Sequence, residues 1–98
     1  MKNIKDFKRE DFLGFWKSTN PKITFFLDKT QANLVLPNKQ IYGDFIVNYV
    51  LSCEECTNCL EIGVNNDLFF IKQITENGFF LTTEYGEILL TKIVQEQM

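Results

Sequence analysis

Histidine is absent from this chain, arginine occurs once (Arg9), alanine once (Ala32) and proline twice. Each shortage removes something. Without histidine there is no Ser-His-Asp or Cys-His catalysis, no His-ligated metal and no histidine pH switch. One arginine leaves almost no material for bidentate reading of phosphate or guanine. The ten basic and thirteen acidic side chains sum to −3 and form no basic stripe. Nucleic acid is therefore not an expected partner. No stretch approaches the ~20 apolar residues of a membrane span. The opening Met-Lys-Asn-Ile-Lys-Asp-Phe-Lys-Arg-Glu-Asp lacks the apolar core of a signal peptide, so a cytoplasmic location is expected.

The acids and hydroxyls supply no catalytic set either. Glu54-Glu55 reads as a solvated turn, Glu84 and Glu87 flank the last hairpin, and Asp44 falls on the polar face of its strand. Ser18 and Ser52 have no base to activate them. The expectation is a protein that is not an enzyme and needs no cofactor.

What the chain does have is strand-forming bulk: ten Phe, ten Leu, nine Ile, five Val and eight Thr in 98 residues. That length makes one domain, 1–98, whose core must be dense to hold. Residues 1–11 predict a short helix, with Ile4, Phe7 and Lys8 at i, i+3 and i+4. Residues 12–98 then predict eight strands. Phe12 to Ser18 ends at Asn20-Pro21, and Ile23, Phe25 and Leu27 alternate before Asp28-Lys29-Thr30. Leu34 to Leu36 follows, then the longest run, Ile41 to Cys53, where Ile41, Gly43, Phe45, Val47, Tyr49 and Leu51 share one face. Gly43 marks a bend in that strand. Leu60 to Val64 stops at Asn65-Asn66-Asp67, Leu68 to Ile74 leads to an Asn77-Gly78 turn suited to positive φ, and Phe79 to Glu84 and Ile88 to Val94 complete the set. Hairpin-length links favour an eight-stranded antiparallel up-and-down barrel, with a two-sheet sandwich as the alternative.

Several short motifs resemble the small lipocalin-like domains of the calycin type. Leu13-Gly14-Phe15-Trp16-Lys17 is similar to that family's opening strand after an N-terminal helix. Ile23 to Lys29 resembles its second strand and acidic turn, and Tyr42-Gly43-Asp44-Phe45 its Gly-x-aromatic element. Phe70 to Ile74, Phe80-Leu81-Thr82 and Leu89 to Lys92 resemble its closing strands. The resemblance implies a tryptophan, here Trp16, lying across the closed end of the barrel beneath a basic residue of the last strand. Lys92 takes that place instead of the usual arginine, with Gly14 beside it. An ordinary core role for Trp16 is the alternative. The resemblance further implies a binding module whose interior holds a small apolar ligand, with Phe25, Leu27, Phe45, Val47, Tyr49 and Ile62 facing inward.

Two features fall outside that scheme. Cys53, Cys56 and Cys59 lie at C-x-x-C-x-x-C spacing, with Cys53 and Cys59 expected opposite each other across a hairpin tip. They read as inert thiols, a redox-sensitive 53–59 pair or, one ligand short, a metal site. Phe25-Phe26, Phe69-Phe70, Phe79-Phe80 and Leu89-Leu90 each place one large apolar side chain on either face of a strand. Either the N-terminal helix, through Ile4 and Phe7, covers the outer set, or that set is a self-association or partner-binding face. The alternative function is thus a protein–protein interaction factor of inhibitor or immunity type, with a homodimer within its scope.

Overall fold

The structure, a computed structural model, describes residues 4–51 and 58–93. Nine strands form one antiparallel sheet: β1 (Gly14–Thr19), β2 (Lys22–Leu27), β3 (Ala32–Leu36), β4 (Lys39–Gly43), β5 (Phe45–Leu51), β6 (Asn58–Val64), β7 (Asp67–Ile74), β8 (Gly78–Thr83) and β9 (Gly86–Lys92). Their spatial order is β4-β3-β2-β1-β9-β8-β7-β6-β5, so the first and last strands pair and the sheet curls into a nearly closed barrel. Period-2 alternation builds it: Ile23, Phe25 and Leu27 of β2 point inward, as do Ala32, Leu34 and Leu36 of β3.

Nine strands replace the eight expected because the run from Ile41 divides at Asp44. Its first part, β4, pairs with β3, and its second, β5, pairs with β6. One continuous strand therefore changes partners and carries the barrel across its seam. Gly43 takes φ +154°, and a Cβ there would stand 2.7 Å from the Asn65 Cβ. The Asn65 N–H donates to the Asp44 carbonyl at 2.9 Å, tying the kink to the β6–β7 turn.

The N-terminal helix is not α-helical. Two 3₁₀ turns, Ile4–Asp6 and Arg9–Phe12, stand in its place, separated by an extended Lys8 (φ −127°, ψ 177°). Lys8 donates its N–H to the Asp11 carboxylate at 2.8 Å. So short a segment holds no α-helix by itself, and its shape follows what its apolar side chains can reach. Phe12, expected to begin a strand, ends the second turn and is buried. Ile4 and Phe7 pack against the core rather than over the outer face.

Turn chemistry departs from expectation at one place. Asn65 and Asn66 both adopt positive φ, as a tight β6–β7 hairpin requires, and Gly86 does so between β8 and β9. Gly78 does not. It lies in β8, where any Cβ would overlap the Leu90 carbonyl, and the Thr75 hydroxyl accepts its N–H at 3.0 Å. Close backbone packing, not left-handed geometry, demands that glycine.

Candidate functional site

One end of the barrel is organised by Trp16, on the inner face of β1. Its indole Nε1–H donates to the Phe12 carbonyl at 3.0 Å in a buried setting. The Trp16 and Phe79 rings lie 4.8 Å apart, and Phe12 meets Phe79 edge-on at 5.3 Å. Lys92 is paired with Trp16 across the β1–β9 ladder, and its Nζ sits 5.5 Å from the indole centroid, within cation–π range. Gly14, at φ +119°, leaves room for the lysine stem, since a Cβ there would lie 3.0 Å from Lys92 Cε. The structure thus brings Gly14, Trp16 and Lys92 together at one end. Phe12, the residue that joins them to the core, was legible only as an apolar residue. Nothing in its local pattern marked it as the acceptor of the indole N–H.

The interior is filled. Phe25, Leu27, Phe45 and Ile62 are buried, Val47 is half-buried, and Tyr49 is 37% exposed although it stands opposite the buried Leu60. Of the six inward candidates, Tyr49 therefore lies at a rim rather than within. A void in the interior has a volume of about 10 Å³ and is lined by apolar residues, among them Phe12, Phe25, Phe45, Ile62 and Phe79. That is about the space of one water, whereas small-molecule sites run to roughly 300–1,000 Å³. Among the described residues no polar or charged side chain is buried.

The outer face carries the apolar excess. Phe15 and Phe26 are directly opposite across β1 and β2, each 43% exposed, with ring centroids 5.9 Å apart. The same transverse row continues through Asn33 to Tyr42, which is 59% exposed. Across the seam, Ile46 and Leu68 stand on either side of Gly63, 55% and 57% exposed. A Cβ at Gly63 would sit 2.9 Å from Ile46 Cγ1 and 3.7 Å from Leu68 Cδ2, so both side chains lean over the glycine. The doublets resolve accordingly. Phe25, Phe79 and Leu90 face in, Phe26 and Leu89 are exposed, and Phe69, Phe70 and Phe80 are half-buried.

The cysteine segment is only partly visible. Cys53 and Cys56 lie outside the described residues. Cys59 is buried on β6 opposite Val50, and Leu51 opposes Asn58. The expected facing of Cys53 and Cys59 thus lies outside the described residues on the Cys53 side.

The electrostatics are those of turns. Hydrogen bonds from the Gln31 and Thr30 N–H groups, and from the Thr30 hydroxyl, hold the Asp28 carboxyl below its ordinary range, with Arg9 adding attraction. The Arg9 guanidinium also donates to the Asp28 carbonyl at 3.0 Å, pinning the N-terminal turns to the β2–β3 hairpin.

No family model, curated protein or solved structure matches this chain. What stands is an all-β, nearly closed antiparallel barrel compatible with a lipocalin-like fold.

Proposed function

We propose that this protein is a non-catalytic binding module of lipocalin-like build that works by covering another protein with its outer face. Volume carries the reading: the interior void of about 10 Å³ is far smaller than a usual small-molecule site, while Phe15, Phe26, Tyr42, Ile46 and Leu68 are exposed. Half-exposed aromatic and aliphatic side chains grouped on paired strands forgo roughly 1 kcal/mol each of burial, a cost that a partner surface recovers. Tyrosine and phenylalanine on a rigid sheet also lose little entropy on docking.

The test combines a variant and a capture. Phe15→Ser with Phe26→Ser is expected to leave the fold intact, since both side chains are already part-exposed. Tagged wild-type protein is expected to retain one stoichiometric partner from cells, and the double variant to release it. A clean monomer with no partner would remove the reading. The alternative, a small apolar ligand inside the barrel, is supported by the wholly apolar lining of the void. Its test is native mass spectrometry of protein purified from cells, where a lipid-sized adduct would favour it.

A further inference from the structure

The shortest paired ladder in the sheet lies between its first and last strands. Their ladder holds only Trp16 with Lys92 and Lys17 with Thr91, extended by the Ile93 N–H donating to the Phe15 carbonyl at 2.8 Å. Both strands run on beyond it. β1 remains paired with β2 to Thr19, opposite Lys22, and β9 is paired with β8 from Gly86, opposite Thr83. Between the two unpaired stretches opens a groove of about 350 Å³ walled by Lys17, Ser18, Thr19, Glu87, Leu89 and Thr91.

Alternation decides which main-chain groups face that groove. The Lys92 N–H donates to Asn77 on the β8 side at 3.1 Å, while the Ile93 N–H donates towards β1. Counting back in twos, Thr91, Leu89 and Glu87 aim their N–H and C=O groups at β1. Thr91 uses its position in the ladder; Leu89 and Glu87 have no paired residue of β1 opposite them. Neither wall contains proline, and no register shift interrupts the β8–β9 pairing that holds the second wall straight. Two of the usual blocks to strand addition are thus missing from these walls.

We infer that this groove is a strand-addition site, in which an extended segment of a partner protein pairs antiparallel with Glu87–Leu89 of β9. The inference deepens the partner-covering function proposed above and rests on it. Charge selects the occupant. Glu87 makes its stretch of the β9 wall acidic, four positions along from Thr91, which faces Lys17, so the segment carries a basic residue level with Glu87 and an apolar one level with the exposed Leu89. Main-chain hydrogen bonds supply affinity, and those two side chains supply preference.

The test uses the capped peptide acetyl-Thr-Leu-Thr-Lys-Thr-amide, and its Lys-to-Glu counterpart, at millimolar concentration with amide exchange read by NMR. In the free protein the Glu87 and Leu89 amides are expected to exchange fast and those of Ile88 and Leu90 to be protected. The lysine peptide is expected to slow Glu87 and Leu89 about fivefold, the glutamate peptide far less, and Glu87→Lys to reverse that order. Leu89→Pro deletes a donor that β8 does not use. It is expected to keep Ile88 and Leu90 protected while abolishing the peptide effect; should it unfold, the charge reversal decides. Protection that persists in folded Leu89→Pro, or that fails to appear at all, overturns the groove. Perturbation confined to Phe15, Phe26 and Tyr42 also overturns it, yet leaves the partner-covering function standing.

Discussion

Asp28 shows how much one side chain at a turn can organise. Its carboxylate accepts the N–H groups of Thr30 and Gln31, each at 2.8 Å, and the Thr30 hydroxyl at 3.1 Å. Those bonds favour the ionised form, so the folded pKa falls below the ordinary 3.8. The sign follows. A depressed folded pKa contributes stability that is present above the unfolded value and lost as pH falls through the folded one. Thermal melting from pH 5 downwards is expected to show a stability loss beginning near pH 4, accompanied by shifts in the Thr30 and Gln31 amide resonances. Asp28→Asn keeps an acceptor oxygen but no titration, and is expected to flatten that dependence. The Asp28-Lys29-Thr30 turn was legible in the chain, because this residue order is a turn signal with a local mechanism.

At the scale of elements, the decisive event is the partner change between β4 and β5. Gly43 is required there twice over, by its backbone angle and by the approach of Asn65. Gly43→Ala is expected to cost about 1–3 kcal/mol, read from the urea midpoint. Combining it with Asn65→Gly is expected to recover only part of the loss, because the second change clears the collision and leaves the backbone strain. The bend at Gly43 could be anticipated, since a glycine interrupts a long alternating strand. The division into two strands could not, because both halves keep the same inward parity: Ile41 and Phe45 are both buried. The N-terminal turns were illegible for a related reason. Ile4 and Phe7 at helical spacing satisfy an α-helix and a pair of 3₁₀ turns equally well, and contact with the core chose between them.

For the whole molecule, the question is whether the barrel is hollow. Phe12, Phe25, Phe45 and Phe79 meet one another at centroid distances of 5.3–6.4 Å and occupy the space that a ligand would need. Phe45→Ala is expected to cost about 3–5 kcal/mol and to leave a dry cavity. Benzene is then expected to raise the melting temperature of this variant and leave the wild type unmoved; an equal shift in both would mean that the native interior already opens to guests. The outer face belongs to the same scale. Phe15 and Phe26 are far apart in the chain, and only the β1–β2 register makes them neighbours. The doublet Phe25-Phe26 announced one outward phenylalanine, but not its companion.

The order of residues alone determined the all-β class, the inward sets of most strands and the turns at Asn20-Pro21, Asp28 and Asn65-Asn66, because alternation and turn propensity act over a few neighbouring residues. It also placed Trp16 and Lys92 at positions that the resemblance paired. Tertiary structure alone decided that the core aromatics fill the interior, that Phe12 takes the Trp16 hydrogen bond, that Cys59 faces Val50, and that the β1–β9 ladder stops short. Those outcomes depend on volumes and registers summed over the whole closed sheet, quantities that no short stretch of chain contains.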